Sequence, residues 1–277
     1  MILALDAIGM LSPMAAVRAQ EAVASQELWY HTIEVAPGVV TPGWFDLRPV
    51  MKHIPWPDVR GKRCLDIATY DGFLAFELER RGAAEVWATD LPNHEDWDWL
   101  PRDRAKGVAY LDAIAGEKGR GFEIASELRD SKVQRRFMSV YQLDPEEVGK
   151  FDVVVCGSLL LHLRDPMRAL DAIRRVCSGE FLSIEVVDVL GSILHPRRAT
   201  LNLKGINGQW TVPNSFGQRH MLEVAGFDVI ESSRLFAEPM GTGHPPVTDR
   251  TARFWLDAIA CRGKGVPVRA LRTRPAI

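Results

Sequence analysis

Two aspartates carry the strongest chemical signal in the chain. Asp66 lies in Cys64-Leu65-Asp66-Ile67-Ala68-Thr69-Tyr70-Asp71-Gly72-Phe73, and Asp90 ends Glu85-Val86-Trp87-Ala88-Thr89-Asp90 some two dozen residues on. Residues 63–68 form a short apolar run suited to a buried strand. Phe73 to Arg80 has an apolar face at helical spacing, and Gly82 is placed to end it. A strand that turns into a helix N-terminus offers free backbone N–H groups and a positive dipole end to a ligand. An acid at the end of the second strand suits hydrogen bonding to the two hydroxyls of a ribose. The turn lacks G-x-G-x-x-G. Thr69 and Tyr70 stand where further glycines would let a pyrophosphate approach, so the turn suits a smaller group such as an amino-acid moiety.

These acids need a frame, and the rest of the chain supplies one. Phe151 to Cys156 is almost continuously apolar, as in a parallel strand covered on both faces, and it opens into Gly157-Ser158. Val133 to Val140 reads as a strand ending at Ser139-Val140-Tyr141. Residues 180–187 read as a further strand carrying Glu185. In an open parallel sheet, ligands sit beyond the carboxyl ends of strands, where Asp66, Asp90, Ser139, Gly157 and Glu185 all fall. The expected fold is therefore α/β, with helices on both faces of a mostly parallel sheet.

Residues 1–28 read as a helical lead-in. Aromatics mixed with Gly and Pro follow, from Trp29-Tyr30 to Trp44-Phe45, and suit either a plug on the sheet edge or a lid over a ligand. His53 reads as a packing residue. Residues 188–213 form a long connection whose length suggests a functional insertion. Asn214 is placed to cap a helix over 215–225. Residues 227–236 and 253–262 alternate like a closing strand pair, and 264–277 reads as a loose tail. The domain expectation is a lead-in and lid over 1–58, a main domain over 59–262, and a flexible tail.

The motif Leu65-Asp66-Ile67-Ala68-Thr69-Tyr70-Asp71-Gly72, followed by Asp90, resembles that of the class I S-adenosylmethionine-dependent methyltransferases. The departures are Ala68 and Tyr70, where glycine and a small or Cys-like residue are commoner. The resemblance implies a Rossmann-like sheet with an antiparallel terminal strand and S-adenosylmethionine as cofactor. It implies contacts from Asp66, Ala68, Thr69, Tyr70 and Gly72 to the methionine end, and from Asp90 and Leu91 to the ribose. By the same resemblance Ser139, Val140 and Tyr141 meet the adenine, while Cys156, Gly157 and Ser158 line the middle. Three further segments narrow it: Cys156 to Pro166, Val212-Pro213-Asn214 with Leu222 to Phe227, and Thr248 to Thr251. Together they resemble the branch that contains the tRNA wobble-uridine carboxymethyltransferases, which use a carboxylated cofactor. Their Tyr-His pair reads here as Leu161-His162, and Arg250 matches one of their basic groups. The missing tyrosine favours ordinary S-adenosylmethionine and a smaller substrate.

Methyl transfer from a sulfonium is an in-line displacement, so the protein chiefly aligns the acceptor and excludes water. A base helps where the acceptor is a hydroxyl or amine. His162 is the first candidate, although a histidine at a helix start is as readily a backbone-bonded residue. His31 and Glu185 follow. Trp29, Tyr30, Trp44 and Arg250 are the candidate substrate contacts. Ser158 and His162 share a helical spacing, but no G-x-S-x-G elbow surrounds the serine, so a hydrolase is not expected. His94 with Glu95, Asp96 and Asp98 lacks a distant partner with ligand spacing, so no metal site is expected.

The 277 residues are 47% apolar with net charge −2. That balance creates no general field for nucleic acid. The four cysteines have no paired spacing and read as buried hydrophobes of a reducing compartment. No run reaches membrane-spanning length and the N-terminus makes a poor signal peptide, so a cytoplasmic enzyme is expected. The expected reading is a methyltransferase acting on a small-molecule acceptor. A tRNA-modifying transferase, an NAD-type oxidoreductase, a silent cofactor-binding module and a homo-oligomer stay open.

Overall fold

The computed structural model describes residues 12–107, 118–206, 208–248 and 251–276. Helix α1 (Pro13–Ala24) starts on the Ser12 hydroxyl, which accepts from the Ala15 N–H, with Pro13 in the first turn. A small hairpin, β1 (Glu34–Ala36) and β2 (Val39–Val40), follows. The main sheet begins with β3 (Arg63–Ile67), α2 (Phe73–Arg80) and β4 (Glu85–Asp90). It continues with α3 (Arg120–Leu128), β5 (Gln134–Phe137), β6 (Phe151–Gly157), α4 (Pro166–Val176) and β7 (Cys177–Val186). Residues 188–213 form a short helix α5 (Val189–Leu194) and a separate hairpin, β8 (Leu201–Ile206) with β9 (Gln209–Pro213). The chain closes with α6 (Ser215–Val224), β10 (Phe227–Ser232), β11 (Phe236–Glu238), α7 (Ala252–Ala260) and β12 (Val266–Pro275).

The sheet order is β10-β12-β7-β6-β3-β4-β5, with β11 paired to the start of β12. The five strands from β7 to β5 are parallel, and β12 runs antiparallel between β7 and β10. Alternate residues of a strand face opposite ways, and both faces are covered. Cys64, Val153, Val155 and Leu182 pack with Phe76 and Leu78 on one side. Leu65, Ile67, Val154 and Phe181 pack with Leu170 and Phe227 on the other. This is the Rossmann-like arrangement the motifs implied.

Two closing elements differ from expectation. Residues 253–262 are not a strand: Ala252–Ala260 is a helix, started by the Thr251 hydroxyl under the Phe254 N–H and reinforced by Arg253 paired with Asp257. A short apolar run fits either period, and the cap decides it. Residues 264–277 are not a loose tail either, since β12 is an inner strand. Val268, Ala270, Leu271 and Thr273 are buried, while Arg272 bridges Glu180 at 3.0 Å and Glu231 at 2.7 Å. The arginines mask the strand pattern because their stems lie along the sheet and their heads find partners at its rim.

Candidate active site

The β3–α2 turn is held by its own backbone. The Thr69 N–H donates to the Thr89 carbonyl at 3.0 Å and the Gly72 N–H to the Thr69 carbonyl at 2.8 Å. Ala68 (φ 59), Tyr70 (φ 49) and Gly72 (φ 92) all adopt left-handed conformations. Glycine is needed at 72, where a Cβ would come within 2.5 Å of the Phe76 ring. Ala68 and Tyr70 hold this conformation without a glycine, so the turn keeps its shape at some cost in strain. Ser158, in the β6 turn opposite, is also left-handed (φ 48).

The aromatic segment is fastened onto this turn by Asp71. Its Oδ2 accepts the Tyr30 N–H at 2.6 Å and the His31 N–H at 2.9 Å. Trp44 and Phe45 pair with Trp29 and Tyr30 through backbone bonds, and Gly241 and Asp46 extend the pairing to residues 239–241. Asp71 is buried, which pushes its carboxyl up to about 7 against the pull of those two amides.

Between the turn and this cover lies a narrow, partly open cleft. Asp66, Ala68 and Thr69 line it from β3 and Gly157 and Ser158 from β6. Tyr30, His31, Leu47 and Glu238 face them. Asp66 is 1% exposed, and neither of its carboxylate oxygens has a hydrogen-bond partner among the described residues. Burial pushes its carboxyl up to about 7. The Thr69 hydroxyl and Ala75 N–H lie near enough to pull it partly back without completing a hydrogen bond, and Asp90 opposes them. The His31 ring is driven down to about 3 by burial and is neutral at ordinary pH. The Tyr30 hydroxyl is held neutral by burial and by the charges of Glu238, Asp71 and Glu185.

Asp90 closes β4 beside this cleft. Its Oδ2 accepts the Tyr70 N–H at 3.0 Å, and its Oδ1 accepts the Leu91 N–H at 2.7 Å and the Lys118 ammonium at 2.6 Å. Lys118 lies over the rings of Tyr70 and Trp97, 5.3 and 5.0 Å from their centroids. Asp90 thus lies at the strand end the motif implies, already partnered by a cation. Ser139 and Val140 adjoin it, with the Met138 N–H donating to the Asp90 carbonyl at 2.9 Å. Ser139 caps the turn of residues 140–142, and the Tyr141 hydroxyl donates to Asp98 at 2.6 Å.

The remaining candidates fall elsewhere. His162 does not line the cleft: its Nδ1 meets the Gly208 carbonyl at 3.1 Å, under the β8–β9 hairpin, and burial lowers its pKa. Glu185 accepts the Leu159 and Leu160 N–H groups, both at 3.3 Å, with the Cys156 thiol at 3.7 Å. Burial pushes Glu185 up to about 8, and it lines a second cavity toward Thr211 and Met221. Trp29 is in the core with its indole on the Val23 carbonyl, while Trp44 stays beside Tyr30. Arg250 lies outside the described residues. Among the described residues no three His, Cys, Asp or Glu side chains converge to hold a metal. Two residues escaped sequence reasoning. Lys118 offered no motif, and Glu238 stood at the end of a short strand, where an acid directly after the apolar Phe236 and Ala237 was the available signal.

The fold, the β3–α2 turn and the two acids at strand ends define a Rossmann-like methyltransferase domain. The chain belongs to the methyltransferase domain family, whose profile matches residues 46–232. Among characterised proteins it is similar to ubiquinone biosynthesis O-methyltransferases. That of Neisseria meningitidis serogroup C is 30% identical over 122 residues, 44% of this chain and 40% of that protein. That of Paracidovorax citrulli is 29% identical over 145 residues, 48% and 51% respectively. The chain thus spans about half or less of the relatives it matches. Among solved structures, the N-terminal domain of EvdMO1 with S-adenosylhomocysteine bound superposes with a TM-score of 0.54 at 16% identity. That superposition covers 98% of this chain and 100% of that one and shows the shared fold.

Proposed function

We propose that the chain transfers a methyl group from S-adenosylmethionine to an oxygen of a small-molecule acceptor. The observation that carries this reading is Asp66, a buried carboxylate facing the cleft with both oxygens unpartnered. A buried anion without a partner is costly, and a positively charged ligand group removes that cost. The ammonium of the cofactor's methionine end fits it. Asp90 would serve the ribose once Lys118 yields part of its carboxylate. When bound, the cofactor supplies an activated methyl carbon. The chain's own residues then hold the ligand, align the acceptor beneath Tyr30 and His31, and keep water out.

The two characterised relatives are named for O-methyl transfer, which supports oxygen as the acceptor atom. A polyanion such as tRNA is disfavoured, since no lysine or arginine is among the described residues lining the cleft and two acids are. No described helix is long and apolar enough to cross a membrane. Calorimetric titration with S-adenosylmethionine tests the reading. Saturable one-to-one binding is expected, weakened at least about tenfold by Asp66→Asn, a loss of about 1.4 kcal/mol. An absence of saturable heat in the wild type refutes it.

A further inference from the structure

The cleft has an acidic wall that cofactor binding does not require. Glu238 ends β11 on the side facing Asp66 and Ser158, beside Tyr30 and His31. It is 7% exposed, and its carboxylate makes no hydrogen bond to the described residues. Its backbone is fixed by pairing with Val266 and by the close approach of Gly265, where a Cβ would come within 1.9 Å of the Glu238 carbonyl. Two rings line the cleft beside it: Tyr30 and His31 meet edge-on with centroids 4.8 Å apart, and Phe45 backs Tyr30 at 5.1 Å from outside the lining.

From this arrangement we infer that Glu238 is the proton acceptor of an acceptor subsite formed with Tyr30 and His31, which takes an uncharged ring-bearing hydroxyl compound and rejects anions. The inference rests on reading the cleft as the methyl-transfer site. A carboxylate acceptor would meet Glu238 and Asp66 with no cation on the lining. A hydroxyl gives Glu238 the donor it lacks, and flat rings suit the aromatic wall. As the acceptor oxygen forms its bond to the transferred methyl carbon, its proton passes to a Glu238 oxygen. The electron pair of the broken carbon–sulfur bond stays on sulfur, and Glu238 later releases the proton to water.

The electrostatics agree. Burial pushes Glu238 up to about 7, near where a general base works best. The groups around it are Tyr30 and His31 from the cover and Asp66 from β3 on the same lining, with Glu185 of β7 close enough to feel its charge. The turn of residues 48–53, packed on β11, carries Arg48, which is bound to Asp46 at 2.8 Å, and the exposed Lys52 and His53. His31 and Tyr30 are both neutral, so the nearby charge is acidic.

The test uses the full chain saturated with S-adenosylhomocysteine, with phenol and benzoate as probes in calorimetry. Wild type is expected to bind phenol and exclude benzoate, with phenol binding strengthening as pH rises through about 7. In Glu238→Gln the preference for phenol over benzoate falls at least tenfold and the pH dependence flattens; Glu238→Asp retains part of both. Methyl transfer to the tightest-binding phenol falls by roughly 10² to 10⁴ in Glu238→Gln. An unchanged preference in the variant, a wild type that favours benzoate, or a wild type that binds no phenol overturns the inference. Failure of S-adenosylhomocysteine and S-adenosylmethionine to bind would be seen first, and would overturn the cofactor reading beneath it as well.

Discussion

Replacing Asp66 with asparagine separates the cost of this residue from its use. The group is enclosed, and burial lifts its carboxyl from 3.8 to about 7. A rise of about 3 units corresponds to about 4 kcal/mol set against the folded state once the group is fully ionised. The folded protein binds this proton more tightly than the unfolded chain does. The penalty is therefore absent below about pH 4, grows between about 4 and 7, and is complete above that range. Asp66→Asn keeps the shape and removes the ionisation. The variant should be more stable than wild type at about pH 8, by up to about 4 kcal/mol, and equal to it near pH 4. Asp71, Glu185 and Glu238 shift in the same direction, so the wild type should also lose stability as pH rises through that window.

Denaturant unfolding at the two pH values, with and without S-adenosylmethionine, measures both sides. At a hundred times its Kd the cofactor should stabilise wild type by about 2.7 kcal/mol, and the variant much less at the same concentration. Equal destabilisation of the variant at both pH values would refute the reasoning. So would equal stabilisation of variant and wild type by the cofactor.

Lys118→Met removes the cation that holds Asp90; S-adenosylmethionine should bind about tenfold tighter, because the ribose no longer competes, while the apo melting temperature falls. Calorimetry and a thermal melt check both, and weaker binding would mean that Lys118 holds the cofactor rather than competing with it. Ala68→Gly relieves a left-handed alanine and should stabilise the protein by up to about 1 kcal/mol, read from denaturant unfolding. Deleting residues 264–277 removes an inner strand and should abolish the cooperative thermal transition; a truncated chain that melts like wild type would contradict the sheet order. Asp71→Asn loses the charge on the two N–H bonds to Tyr30 and His31, and limited proteolysis should cut faster between residues 29 and 46.

The parallel half of the sheet was legible because its strands are apolar on both faces and its turns end in acids. Asp66 and Gly157 could be placed together from that pattern alone, since the topology of an open parallel sheet brings strand ends to one rim. The antiparallel half was not. The pattern of β12 is broken by Arg269, Arg272 and Arg274, whose partners lie on β7, on β10 and near the start of α6, out of reach of any local window. Glu238 was hidden for the same reason, because it enters the cleft only once β11 pairs with β12. Lys118 reaches Asp90 from a segment with no motif. His162 shows the converse: its position after β6 suited the methyl group, but the β8–β9 hairpin folds over it and takes its Nδ1.

The most direct measurement is a diffraction structure of the protein grown with S-adenosylhomocysteine. The ligand's ammonium is expected within hydrogen-bond distance of an Asp66 oxygen and its ribose on Asp90 with Lys118 displaced. A ligand bound elsewhere, or one whose ammonium leaves Asp66 still unpartnered, would contradict the cofactor reading.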